Sequence, residues 1–137
     1  MIMSNFINKI GAIKSLYQTG GCSKNDIMEA QKKLDLNFSQ EYKSYILTYG
    51  AISFRGTEWT GLGKRLHGYL NVIDATLMLR DLDSSFPSDC FVVENLGTDT
   101  GVVISNSEGG IYIYHQGQKK KIHINLENYL DECLLRL

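Results

Sequence analysis

The sequence predicts an α+β domain in which a mostly antiparallel sheet is flanked by N-terminal helices and a C-terminal helix. Three observations lead there. Helical periodicity fills the first third of the chain, short runs rich in Val, Ile, Tyr and Phe fill the second half, and an amphipathic stripe returns at the end. Helices at both ends around paired strands make an α+β arrangement. With 137 residues and 43% hydrophobic composition, the chain reads as a single domain over 1–137 that can bury a real core.

Phe6, Ile10, Ile13 and Tyr17 follow helical spacing, so a first helix is expected from about residue 4 to 18, broken by Gly20 and Gly21. Ser23 with Asp26 has capping-box spacing and opens a second helix, whose buried face is Ile27, Ala30 and Leu34. Ser39 caps a third, placing Tyr42, Ile46 and Tyr49 on one face, and Gly50 stops it in a conformation that a side chain disfavours. From Ala51 onward short strands are expected at 69–73, 90–94, 101–105 and 111–114, with Asp74 capping a short helix that runs to Leu82. The run from Asn106 to Gly110 (NSEGG) makes a hairpin of the last two strands. Asn125 or an adjacent residue starts a final helix with the stripe Leu126, Tyr129, Leu130, Cys133, Leu134 and Leu137.

Composition removes several classes of function. Fourteen basic against fifteen acidic side chains give a net charge of −1, so no overall field draws in nucleic acid or an anionic membrane. No apolar run reaches the roughly 20 residues that span a bilayer, and Lys9 and Lys14 interrupt the N-terminal region where a signal peptide needs an unbroken apolar stretch. The expectation is a cytoplasmic protein. Cys22, Cys90 and Cys133 are odd in number and far apart, which fits free thiols rather than a disulfide framework or metal site.

Catalytic motifs are missing where they would be sought. His67, His115 and His123 lie outside HExxH, HxH or Cys/His patterns, and no GxSxG elbow, dinucleotide loop or GxxxxGK[ST] occurs. No catalytic residue, metal or cofactor is therefore expected. A small hydrolase or ligand-binding domain would need those histidines to converge with carboxylates in space. Lys119, Lys120 and Lys121 read as a solvated hairpin tip or a strand edge protected against pairing.

Two features point to a protein partner. Between residues 74 and 99 the carboxylates Asp74, Asp81, Asp83, Asp89, Glu94 and Asp99 face one cation, Arg80. Caps and loop solubility account comfortably for Asp74 and Asp89; the functional reading of the stretch is an acidic face that meets a basic partner. Trp59, the only tryptophan, follows Glu58. A lone Trp commonly packs in a core, whereas an exposed one beside Glu58 would anchor an interface.

Over most of its length the chain resembles the SUKH superfamily of Smi/Knr-like domains. The resemblance rests on Ala30 to Leu34, the run Phe38-Ser39-Gln40-Glu41-Tyr42, Tyr49-Gly50, Phe54 with Gly56 and Glu58, and Gly61-Leu62. It continues through Thr76 and Arg80, Phe86-Pro87 with Asp89 and Phe91-Val92-Val93, Gly97, Gly110-Ile111-Tyr112, and Glu127 with Tyr129-Leu130. Phe38-Ser39 stands where the family usually has Leu-Pro, and a serine cap serves the same first turn.

The resemblance implies a non-catalytic bacterial immunity protein that binds and neutralises a cognate polymorphic or contact-dependent toxin, often a nuclease. The alternative is a regulatory scaffold for an endogenous protein. The family transfers no binding site. The acidic stretch nominates Asp81, Asp83, Asp89, Glu94 and Asp99 as partner contacts, with Glu58 and Trp59 beside them. The expected partner is a basic toxin domain, with no direct nucleic-acid or membrane contact, and the chain itself a monomer or weak homodimer.

Overall fold

Local side-chain locks set the helical part of the chain. The computed structural model describes residues 2–136, and side chains from residue 5 onward, so Leu137 of the expected stripe lies outside the described residues. Helix α1, Ile2–Gly11, stops well short of residue 18. A Cβ on its last residue, Gly11, would meet the Tyr49 hydroxyl at 2.7 Å and push it from the Ile7 carbonyl, to which it donates at 2.8 Å. The chain then turns, and strand β1, Tyr17–Gln18, takes the residues that periodicity assigned to the helix.

Helix α2, Lys24–Leu34, begins with the expected capping box: Ser23 Oγ accepts from Asp26 N and the Asp26 carboxylate accepts from Ser23 N, both at 3.0 Å. Helix α3, Gln40–Tyr49, has Ser39 Oγ accepting from Tyr42 N at 3.1 Å. It ends at Gly50, where φ is +77° and a Cβ would fall 2.2 Å from the Gly20 carbonyl oxygen. Strands β2, Ile52–Phe54, and β3, Thr57–Trp59, join β1 in a three-stranded antiparallel sheet of order β1-β2-β3.

The strand expected at 69–73 does not form. Gly68–Leu70 is a turn of 3-10 helix, and helix α4 runs over Val72–Leu82. Asn71, not Asp74, is its cap: Asn71 Oδ1 accepts from Ile73 N at 2.8 Å and Asp74 N at 3.1 Å, while Nδ2 donates to the Leu66 carbonyl. Three bonds from one buried amide outweigh the β preference of Tyr, Val and Ile.

Strands β4 (Phe91–Asn95), β5 (Val102–Ser105), β6 (Ile111–His115) and β7 (Gln118–His123) form the second antiparallel sheet, in sequence order. Helix α5, Leu126–Leu134, starts at Asn125, whose Oδ1 accepts from Asn128 N at 2.8 Å. The Glu41 carboxylate also accepts from Leu126 N and Glu127 N. Thr60 stitches the two sheets together through N–H to the Val93 carbonyl and Oγ1 to the Val92 carbonyl.

Strand alternation divides the interior. Phe91, Val93, Val103 and Ile111 point to the main core with α1, α2, α3 and α5. Cys90, Val92, Val102, Ile104 and Tyr114 face a second cluster closed by Ala75 of α4 and by Phe86. Strand β7 is a sheet edge, and Lys119, Lys120 and Lys121 on it are exposed, as a protected edge requires. Among the described residues no helix is long and apolar enough to cross a membrane.

Candidate partner-binding surface

Helix α4 carries two stripes. Val72, Ala75 and Thr76 point inward and are buried, and Thr76 Oγ1 accepts from Val92 N at 3.1 Å, which fixes the helix on β4. The opposite stripe, at the same spacing, is Asp74, Leu77, Met78, Asp81 and Leu82. Three of its members are apolar and open to solvent, with Leu82 77%, Met78 46% and Leu77 39% exposed. A helix whose outer face keeps large aliphatic groups between carboxylates has the composition of a contact surface. Charge does not single out Leu77, Met78 and Leu82, but the second stripe is legible in the sequence as residues 74, 77, 78, 81 and 82.

The chain leaves α4 through Asp83. Its Oδ1 accepts from Ser85 N at 2.9 Å and Ser85 Oγ at 2.6 Å, and its Oδ2 accepts from the Tyr114 hydroxyl at 2.6 Å. These bonds, those from Ser85 first, hold the Asp83 carboxyl below the usual carboxylate range, so it is ionised at neutral pH. Phe86 packs edge-on to the Tyr114 ring at 5.3 Å, and Arg80 donates to the Ser88 carbonyl at 3.0 Å, pinning the returning loop.

Asp81 is exposed on α4, Asp89 is exposed just before β4, and Asp99 is exposed in the turn between β4 and β5. That turn is shaped by Gly97 N to Asn95 Oδ1 and Gly101 N to the Gly97 carbonyl, both 2.8 Å. Its Gly97, Thr98 and Gly101 share a groove of about 200 Å³ with Asp83. The structure thus gathers Asp81, Asp83 and the Asp99 turn at one end of α4. Among the described residues none of Asp81, Asp83, Asp89 or Asp99 belongs to an ion pair.

Two nominated contacts lie inside the molecule instead. Trp59 is fully buried, stacked on Tyr129 at 5.9 Å and edge-on to Tyr45 at 5.4 Å, so its role is core packing. Glu94 is 3% exposed. It accepts from the Tyr129 hydroxyl and from Arg136 Nη1, the latter at 2.9 Å. The cause is a β-bulge: Val92 pairs with Ile104 and Glu94 with Val103, leaving Val93 extra. The extra residue turns Glu94 toward the Tyr129 side of the sheet rather than outward with the other carboxylates. Glu58 is exposed but lines a separate cleft of about 570 Å³ with Ser53, Arg55 and Thr57; Asn95 borders both this cleft and the smaller groove.

The histidines stay apart. His67 is exposed before the 3-10 turn, His115 Nε2 lies 3.2 Å from the Thr98 carbonyl, and His123 Nε2 lies 2.7 Å from a Glu132 carboxylate oxygen. Among the described residues, no three His, Cys, Asp or Glu side chains are grouped so as to hold a metal ion. The three cysteines are free. Burial raises the thiols of Cys22 and Cys133 to about 11, and burial with neighbouring Asp89 raises that of Cys90 to about 12, far from a nucleophilic thiolate.

No curated protein matches the chain. The family model SUKH_5, described as SMI1-KNR4 cell-wall, matches residues 3–135, nearly the whole chain. The two antiparallel sheets, the capped helices around them and that match together place this protein in the SUKH superfamily of SMI1-KNR4 domains.

Proposed function

We propose that this protein is a non-catalytic binding module, an immunity protein that neutralises a cognate bacterial toxin domain in the cytoplasm. The observation that carries the reading is the outward stripe of α4. Leu77, Met78 and Leu82 supply apolar contact area, and Asp81 and Asp83 at the end of α4, with Asp99 in the turn that borders the groove of Asp83, supply negative charge that belongs to no ion pair among the described residues. A toxin that acts on nucleic acid is basic around its site, so carboxylates set among aliphatic groups would steer association and then hold it. Family membership supports the class of protein, and the surface supports where it would bind.

The test is binding of the purified chain to the C-terminal domain encoded by the neighbouring upstream gene. Tight 1:1 association with loss of that domain's toxicity is expected. Absence of binding would transfer the same surface to an endogenous partner.

A further inference from the structure

The groove beside Asp83 has the size and chemistry to take one side chain of a partner. Its volume is about 200 Å³, below the roughly 300 Å³ at which small-molecule sites begin. Its walls are largely apolar, formed by Leu79, Phe86, Val102 and Tyr114, with Thr98 at the turn and the Asp83 carboxylate among them. Gly97 and Gly101 border it, and both have positive φ, +97° and +105°, so the turn keeps its shape only with glycine there.

The polar end of the groove is short of protons. Three contacts of 2.6 Å link Asp83 Oδ1 with Ser85 Oγ, Asp83 Oδ2 with the Tyr114 hydroxyl, and Ser85 Oγ with the Tyr114 hydroxyl. Only two hydroxyl hydrogens serve them. When both are donated to the carboxylate, Ser85 Oγ and the Tyr114 oxygen face one another with lone pairs only. A group that donates and accepts nothing would relieve this; Asp83 is the groove's carboxylate and among the described residues has no cationic partner, while the His115 ring, which also lines the groove, is turned with Nε2 3.2 Å from the Thr98 carbonyl.

We propose that this groove is the pocket for an arginine side chain of the partner protein, its aliphatic stem against Leu79, Phe86 and Val102 and its guanidinium on Asp83 and the Tyr114 hydroxyl. The inference rests on the protein-binding reading above and adds to it the residue type that the partner must present. Arginine fits better than lysine because its planar head offers several donors to acceptors lying side by side. Leu82 precedes Asp83 in the chain and is 77% exposed, so it offers apolar area to the same partner next to the contact.

The test needs no partner. N-acetyl-arginine methylamide is titrated into the full chain and followed through backbone amide shifts, with N-acetyl-citrulline methylamide as the neutral isostere. Expected are shifts centred on Thr98, Gly101 and Ser85, binding in the millimolar range usual for a fragment, and affinity about tenfold above that of citrulline. Asp83→Asn should erase that tenfold difference. Should this variant not fold, the comparison on the unaltered chain decides alone. Equal binding of citrulline, shifts centred elsewhere, or no shifts would overturn the pocket. Toxin neutralisation is scored separately. A chain that neutralises its toxin but ignores the arginine probe loses only the pocket, and one that binds the probe but no toxin loses only the immunity role.

Discussion

Arg136 reaches across the fold to Glu94, Nη1 to Oε2 at 2.9 Å, although 42 positions separate them in the chain. The guanidinium also donates to Thr57 Oγ1 and to the Tyr129 hydroxyl, both at 3.0 Å. A carboxylate that is 3% exposed is thereby paired and hydrogen-bonded, the condition under which a buried charge is tolerated. The arrangement ties α5 to the second sheet and to β3 through a single acid.

Arg136→Ala should therefore be among the more damaging single changes, costing about 3 kcal/mol because it strands a buried carboxylate. Glu94→Gln combined with Arg136→Ala should be milder than Arg136→Ala alone. Urea denaturation reads both. A double variant less stable than the single one would mean that the charge on Glu94 is not what makes the loss severe.

Helix caps give a second, graded expectation. Ser39→Ala removes one bond to the α3 start and should cost about 1 kcal/mol, whereas Asn71→Ala removes three bonds and should cost about 2 kcal/mol. Equal effects in chemical denaturation would argue that Asn71 serves only as an ordinary cap.

The outward face of α4 separates binding from stability. Leu82→Asp should leave the unfolding midpoint nearly unchanged, within about 0.5 kcal/mol, since the side chain is 77% exposed, while weakening partner binding at least about tenfold. Asp81→Lys with Asp99→Lys should slow association and flatten its dependence on salt, measured by stopped flow. Unchanged kinetics in the lysine variant would remove these carboxylates from the contact.

Acid should loosen two turns early. The Asp26 carboxyl is held low chiefly by the Ser23 backbone N–H, and Asp83 chiefly by Ser85. Each titrates lower in the folded chain than in the unfolded one. Their contribution is thus present above the ordinary carboxylate value of about 3.9 and is lost as pH falls through the folded values. Hydrogen exchange at the Ser23 and Ser85 amides should quicken in that acid range relative to the β5 and β6 amides. Uniform loss of protection would contradict it.

The thiols should be inert in the native protein. With Cys22 at about 11, only about a thousandth of it is thiolate at pH 8, and Cys90 and Cys133 are buried besides. A thiol-exchange reagent should react slowly until denaturant is added and then report three groups. Fast native labelling would show that one of these sites opens.

What was legible in the sequence was mostly local. Ser23, Ser39 and Asn125 announced helix starts because a short polar side chain satisfies N–H groups three residues away, a relationship contained in the sequence itself. The NSEGG hairpin was legible for the same reason. The errors came from contacts at a distance. Tyr17 sat on a helical period, yet β1 is set by pairing with Ser53 on β2, and α1 ends where Tyr49 leans on Gly11. Residues 69–73 are the exception: they carry the β preference of Tyr, Val and Ile, and what decides them is local, Asn71 capping α4 and reaching the Leu66 carbonyl five positions back.

The candidate surface divided along the same line. Asp83 borders a groove with the turn that carries Asp99, and Asp81 lies two residues before Asp83, but which carboxylates of the acidic stretch meet is set by the fold: Glu94 belonged to the same stretch and a one-residue bulge buried it. Leu77, Met78 and Leu82 carry no charge, so a charge pattern leaves them out; only the second stripe of the short helix marks them.

The lysine edge of β7 has a consequence for handling the molecule. Two copies meeting edge to edge would bring opposed rows of ammonium groups together, so growth into stacked sheets is refused at the first step. Acylating Lys119, Lys120 and Lys121 leaves the hydrogen-bonding edge in place and removes the refusal. A sample so treated should scatter light increasingly with time and concentration, while one guanidinylated at the same residues, still charged, should stay clear.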